Sequence, residues 1–410
     1  MKAANLCLSF LLVFVLSGCW SAKEANEIDY VLGVGVDKTD NGDIILTIQT
    51  PDLSALKAEN AISGEKFKSI SARGATTFEA LRNYINVGGQ KLFWGHIQIC
   101  VIGEHAARDG VEDFLDFFSS DPELRGTSMI SVVKGMAKDV MEARVSLTPI
   151  PSDYLSNLLT NATVNGKAPK VQLVDFNRML TEPTGSQPYL PLMELMSQAD
   201  YDKRIAKLDT TSSKGPGQSP VIYTGGAAVF RGTRLKGFLN EKETRGLLWT
   251  KQFMKSALIP IKTDDGGLAS LELIGGVRNK VSVKMEGDTA VIKLSIKANL
   301  NIGERSGSKN LADVQELKKL EEGFNTLVKK EVEMAFDKAA RKYHSDIFSF
   351  GNALNDSNPK AWNQVEDRWE DEILPNAKLD IEVKGTLRRT SRTLYTPWAE
   401  ENEPKGAAPQ

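Results

Sequence analysis

The chain has 410 residues, with 51 lysines and arginines set against 53 aspartates and glutamates, for a net charge of −2. So even a balance leaves no basic footprint for nucleic acid, and a composition 41% hydrophobic and 25% charged excludes a disordered or fibrous chain. At ~150 residues per domain, this length predicts two or three domains with cores of ordinary size.

The first element is a leader. Met1-Lys2 precedes an apolar run from Leu6 to Leu16, which closes on Leu16-Ser17-Gly18-Cys19. A small residue, a glycine and then a cysteine at a secretory cleavage point resemble the bacterial lipobox. In lipoproteins of that kind the cysteine thiol receives a diacylglycerol, residues 1–18 are removed as signal peptide, and Cys19 becomes the N-terminus. The competing readings are a secretory leader that happens to contain a cysteine, and an uncleaved anchor helix. The run falls short of the ~20 residues that span a bilayer. Burying acyl chains is worth ~0.8 kcal/mol per CH₂, and two chains hold stably where one holds marginally. No other segment is apolar over the ~18 residues a crossing needs. The expected protein is a soluble body tethered to the outer face of a membrane. Cys7 leaves with the leader and Cys19 carries lipid, so Cys100 stands alone in an apolar run, Ile97 to Ile102, without a disulfide partner. It reads as a small core hydrophobe.

After a polar segment, Tyr30 to Val36 and Ile44 to Gln49 flank Asn41-Gly42, which predicts a β-hairpin. Glu65 to Ala72 adds a further strand. Thr76 and Glu79 form a capping box that opens a helix with Phe78, Leu81, Tyr84 and Ile85 on one face, ended by Gly88-Gly89. Leu92 to Ile102 reads as one strand, Glu104 to Phe118 as one helix and Thr127 to Val133 as a strand. These make a first α/β unit, 19–134. Helices at Met136 to Arg144, Ser152 to Thr160 and Val171 to Leu180 precede a strand, Tyr189 to Met196. The polar stretch 203–220, rich in serine, glycine and proline, is expected to be a mobile loop. Val221 to Phe230 and Leu235 to Leu239 form a hairpin across Arg231-Gly232-Thr233, and Asn240 with Glu243 caps a helix to Trp249. The second unit is therefore 135–250.

The third unit, 251–390, shows strict alternation. Val281, Val283 and Met285 precede the turn at Gly287, and Ile292, Leu294, Ile296, Ala298, Leu300 and Ile302 follow it, which predicts strands with one wet and one buried face. Asn310 with Asp313 starts a long helix carrying Leu317, Leu320, Phe324, Leu327, Val328, Ala335 and Phe336 at helical spacing. A segment with Trp362 and Trp369 and a strand from Leu379 to Val383 complete the unit, and 391–410 is expected to be a disordered tail. The fold class is α+β, three consecutive domains, each a mostly antiparallel or mixed sheet flanked by helices.

Chemistry is sparse. His96 and His105 lie nine residues apart with Cys100 between them, which is no zinc spacing, and with His344 they read as structural histidines. Gly33-Val34-Gly35 lacks the third glycine of a dinucleotide loop, and Asp37 to Asp43 lacks the closing glutamate of a calcium loop. Neither a Gly-x-Ser-x-Gly elbow nor a Walker A sequence occurs. No catalytic residue, metal ligand or cofactor site is assigned, and an enzyme is not expected.

Four stretches together resemble the Ger(x)C family, the C-subunit lipoproteins of spore germinant receptors in Bacillus and its relatives. They are Gly18-Cys19-Trp20 with Glu24, Ile28 and Val34-Gly35-Val36-Asp37; Ala72-Arg73-Gly74 through Phe93-Trp94-Gly95-His96 to Gly103-Glu104; Ala227 to Phe230 with Leu235 to Leu239; and Asp346-Ile347-Phe348-Ser349-Phe350-Gly351 with Trp362 and Trp369 beyond. Ser21 departs from the family's usual aspartate after Cys-Trp. The resemblance implies three sheet-and-helix domains and a receptor with two integral-membrane partners, an A subunit and a transporter-like B subunit. It implies a place on the outer surface of the spore inner membrane, with Cys19 as the lipid attachment site. It makes glycines 33, 35, 95 and 351 backbone-geometry positions, and Asp346 and Phe348 core or contact residues. The function so implied is a lipid-anchored, non-catalytic receptor subunit needed for assembly or signalling in germination. The alternative is a solute-binding lipoprotein that captures a small nutrient for a transporter, although the hairpins argue against a two-lobed parallel fold.

Overall fold

The computed structural model describes residues 28–52, 66–120, 123–144, 149–182, 184–205, 220–251, 254–306 and 314–389. The leader expected at residues 1–18 with Cys7, the expected lipid site Cys19, most of the loop expected at 203–220, the helix start expected at Asn310 and Asp313, and the tail expected at 391–410 lie outside the described residues.

In chain order, Ile28–Tyr30 (β1), Gly33–Lys38 (β2), Ile44–Pro51 (β3) and Phe67–Gly74 (β4) lead to helix Thr77–Gly88 (α1). Lys91–Phe93 (β5), Ile99–Gly103 (β6), Glu104–Asp109 (α2), Glu112–Ser120 (α3) and Met129–Lys134 (β7) follow. Helices Ala137–Met141 (α4), Pro151–Asn161 (α5) and Leu173–Thr181 (α6) precede Tyr189–Met196 (β8) and Gln198–Ile205 (α7). Next come Val221–Arg231 (β9), Arg234–Leu239 (β10) and Glu241–Trp249 (α8). The remainder is Leu258–Lys262 (β11), Leu268–Glu286 (β12), Thr289–Ser306 (β13), Val314–Phe336 (α9), Phe350–Ser357 (α10), Pro359–Val365 (α11) and Lys378–Arg389 (β14).

The strands build an eight-stranded sheet in the order β10-β9-β8-β7-β6-β2-β3-β4, a four-stranded sheet β11-β12-β13-β14 and a small β1-β5 pair. The class is α+β, with mixed sheets flanked by helices, as the sequence implied. In the large sheet β2, β6, β7 and β8 are parallel neighbours, with antiparallel strands added at both ends. Because parallel strands buried on both faces read as unbroken apolar runs, Ile99–Gly103 has no exposed residue. Cys100 sits between Val34 and Ile130 in register, and burial pushes its thiol up to about 12.

The boundary drawn at 134/135 falls between β7 and β8, which pair in parallel within this one sheet. A parallel pair needs a crossover, and the helical stretch from α4 to α6 supplies it. The run Leu92 to Ile102 is two strands rather than one: β5 pairs with β1, and β6 joins the large sheet after a turn in which Ile97 N donates to Trp94 O at 3.1 Å. The helix read from Glu104 to Phe118 breaks at Gly110, whose φ of 134° no helix allows. The Asn41-Gly42 hairpin and the Asn240/Glu243 capping box form as expected. Thr76 accepts from Glu79 N, but the Glu79 carboxylate turns to Ala75 N instead of closing the box.

In the four-stranded sheet β12 and β13 make a long antiparallel hairpin with a bulge at Gly275-Gly276, and β14 adds in parallel. α9 lies over this sheet, burying Leu320, Phe324, Val328 and Val332 with Leu294, Ile296 and Leu300. The two sheets are joined through one apolar cluster: Phe230 and Leu235 of the large sheet share it with Val283, Ile292, Phe336, Phe348, Phe350, Trp362 and Trp369. Each such side chain fully buried is worth about 1.5–3 kcal/mol, so this seam is a core and not a loose domain contact.

Candidate functional site

Where the seam reaches the surface it leaves a cleft, built around the loop from Ser345 to Gly351. Asp346 is fully buried there and organises the loop. Its Oδ2 accepts from Gly351 N at 2.7 Å and Trp369 Nε1 at 3.0 Å, and its Oδ1 from Phe350 N at 3.1 Å and Phe348 N at 3.2 Å. Its own amide donates to Glu370 Oε2 at 3.1 Å, and its carbonyl accepts from Gln187 N at 2.9 Å. One aspartate thus ties α10, the Trp369 segment and the approach to β8 together. Burial raises its pKa, against the opposing pull of these hydrogen bonds and of Lys251. The Asp346/Phe348 pair that the sequence left as core or contact is core.

That network holds Ser349 in a left-handed conformation, φ 67° and ψ 36°, which costs a non-glycine residue roughly 1–2 kcal/mol. The strained backbone points Ser349 Oγ at Ser186 Oγ, 2.9 Å away, and at Lys251 Nζ, 3.1 Å away. Lys251 follows α8 and also lies 5.7 Å from the Tyr189 ring. It is half-buried as a residue, and desolvation of its ammonium pushes its pKa down to about 8, partly opposed by Asp346. Among the described residues, no ion pair is made by its amine within 4 Å.

Ser186, Ser349, Lys251 and Tyr189 line a cavity of about 500 Å³. Residues of α6 also line it, among them Arg178 and Asp175, which pair at 2.8 Å. A second cavity of about 340 Å³ shares Met179, Glu182 and Ser186 with the first and is also lined by Trp362, Trp369 and Glu370. Burial, together with the Asp346 charge, raises the Glu370 carboxyl to about 8.

A serine beside a lysine of lowered pKa is a nucleophile-and-base pair in form. The amides that could cradle an oxyanion next to it, Phe350 N and Gly351 N, are already donated to Asp346, so the arrangement favours binding over acyl transfer. Among the described residues, no group of three His, Cys, Asp or Glu side chains is placed to hold a metal ion. His96 lies against the Tyr30 and Phe93 rings, His105 Nδ1 contacts Lys38 O, and His344 Nδ1 contacts Glu370 O.

The other residues singled out in the sequence have local roles. Asp37, from the rejected calcium-loop pattern, is buried and accepts from Ala137 N at 2.8 Å and Lys138 N at 2.9 Å, capping α4. None of Gly33, Gly35, Gly95 and Gly351 has a positive φ; each is a close approach, as where a Cβ on Gly351 would meet Trp362 at 2.8 Å. Cys19 lies outside the described residues. Sequence reading passed over Lys251, Ser186, Tyr189 and Asn352. Only the Asp346-to-Gly351 motif pointed to their neighbourhood.

Two family models match the chain. One, described as spore germination protein N-terminal domain, covers residues 21–195, and the other, described as spore germination B3/GerAC like, C-terminal, covers residues 225–391. The chain belongs to the GerAC-like family of spore germination proteins. The cleft is lined from both matched segments, Thr160 to Tyr189 from the first and Lys251 to Asn352 from the second. Among GerAC-like relatives, the chain is 25% identical over 390 residues to spore germination protein B3 of Bacillus subtilis (strain 168), spanning 93% of this chain and 97% of that one. It is also 25% identical over 394 residues to spore germination protein KC of the same organism, spanning 93% and 94%. The crystal structure of the GerBC protein matches with a TM-score of 0.52 at 19% identity, over 87% of this chain and 97% of that chain. Family membership gives the chain a role in spore germination, and the resemblance read from the sequence is a true relationship.

Proposed function

We propose that this GerAC-like chain is the lipid-anchored, non-catalytic C subunit of a nutrient germinant receptor. In this reading diacylglyceryl Cys19 holds it on the outer surface of the spore inner membrane, beside integral-membrane A and B subunits that it helps to assemble or to signal through. The observation that carries the reading is the position of Leu16-Ser17-Gly18-Cys19, which ends two residues before the family match begins at residue 21. Among the described residues no helix is long and apolar enough to cross a membrane, which is compatible with attachment through a lipidated leader. Two acyl chains on one sulfur suffice for stable retention. The body is read as units 19–134, 135–250 and 251–390, the first two sharing one sheet.

Cys19→Ala is expected to move the protein from the membrane to the soluble fraction and to weaken nutrient-triggered germination. Mass spectrometry of the wild-type N-terminus should find the lipid on Cys19. Unchanged membrane retention of Cys19→Ala in a strain that also lacks the A and B subunits would sink the anchor.

A further inference from the structure

The cleft has features that the receptor role does not use. A lysine amine, that of Lys251, lines it with one neutral hydroxyl, Ser349 Oγ, as its hydrogen-bond partner, although a buried ammonium ordinarily acquires a carboxylate. The carboxylate that orders the neighbouring loop, Asp346, is occupied by four N–H donors. Around the cavity Arg178 and Asp175 neutralise each other, which leaves Lys170, Lys251 and Lys255 against Glu182. Glu182 is itself engaged, accepting from Thr184 Oγ1 at 2.9 Å. Val171, Met179 and Tyr189 supply an apolar middle to the cavity. A volume of about 500 Å³ lies within the range of small-molecule sites, which pair apolar walls with a few convergent polar groups.

We infer that this cleft binds a small organic carboxylate, with its anionic group on Lys251 Nζ and the Ser349 and Ser186 hydroxyls and its body against Tyr189, Val171 and Met179. The carboxylate supplies the counter-charge that the lysine lacks. Ser186 and Ser349 share one hydrogen bond in which either can be the donor, so the hydroxyl that accepts in it has its own hydrogen free to turn toward the ligand, and the other can follow only as that bond opens. The left-handed backbone at Ser349 is then explained as the conformation that presents this hydroxyl to the ligand. A ligand seated here would touch both family-matched segments at once, across the apolar seam. The inference does not depend on the lipid anchor.

The test uses the full chain solubilised in detergent and reads the amine directly. Trace acetic anhydride labelling at pH 8, quantified peptide by peptide, gives the accessibility of Lys251 with the exposed Lys242 as internal control. The probes are acetate, butyrate, benzoate and L-alanine, with chloride and inorganic phosphate at matched ionic strength. A carboxylate at about ten times its Kd leaves about a tenth of the sites free, so acetylation of Lys251 falls about tenfold in a saturable way while Lys242 is unchanged. As a second measurement, the same carboxylate raises the melting temperature of the wild type but not of Lys251→Met. Absence of saturable protection by every carboxylate overturns the inference. Equal protection by phosphate overturns the assignment to carboxylates in favour of a general anion site.

Discussion

Asp346→Asn is the substitution that most directly probes the architecture of the seam. The side chain is fully buried and each carboxylate oxygen accepts two N–H donors. An asparagine keeps one oxygen and turns the other into an NH₂ donor. Whichever way the amide is placed, two buried N–H groups face a donor. Orphaning each costs ~1–3 kcal/mol, a gross loss of ~2–6 kcal/mol. The neutral amide escapes the burial penalty that raises the Asp346 pKa, so the expected net loss is ~2–3 kcal/mol, with Asp346→Ala, which strands all four donors, losing more. Urea unfolding of the full chain in detergent, followed by tryptophan fluorescence, reads this loss as a lowered midpoint, because Trp369 bonds to Asp346 and should report the seam. Asp380→Asn on the exposed side of β14 is the control and should stay within ~0.5 kcal/mol. If Asp346→Asn matched that control, the hydrogen-bond argument would be refuted.

Three further predictions follow from the packing and the charges. Gly246→Ala should destabilise by ~1–3 kcal/mol despite the better helix propensity of alanine, because its Cβ would lie 2.0 Å from Glu331 O on α9; an unchanged melting temperature would show that α8 and α9 can separate freely. Glu370 is raised to about 8 and binds a proton in the fold that the unfolded chain has lost, so stability should fall as pH rises from about 5 to about 8. Lys251 is lowered to about 8, so the unfolded chain holds its proton longer and stability should rise again between about 8 and 10.5. Urea midpoints against pH should show this minimum, and Glu370→Gln should remove its acidic limb; a monotonic profile would contradict both assignments. Cys100, 1% exposed with its thiol pushed up to about 12, should react with a thiol reagent only on unfolding; labelling of the native chain at neutral pH would place it elsewhere.

Elements with a strong local period were legible before the structure. Ile292 to Ile302 alternates and is β13, and Leu320 to Phe336 repeats at helical spacing and is α9. The elements that escaped were those whose local signal is ambiguous. Leu92 to Ile102 is apolar enough for one strand, yet its halves pair with β1 and with β2. β11 is only five residues long with a proline at its centre, and β12 is interrupted by the Gly275-Gly276 bulge, so neither gives a long unbroken alternation. The Asp346-to-Gly351 motif was visible as a motif, but that its aspartate is a buried acceptor for Trp369 could not be read from it.

What the sequence determined by itself is the family, the α+β class, and most strands and helices, because each rests on residues adjacent or periodic in the chain. Tertiary structure alone decided that β7 and β8 share a sheet, that Asp37 caps a helix a hundred residues on, and that Lys251 meets Ser349, Ser186 and Tyr189. Those partners lie far apart in sequence. Spacing carries no trace of a contact that depends on how two sheets close over a common apolar core.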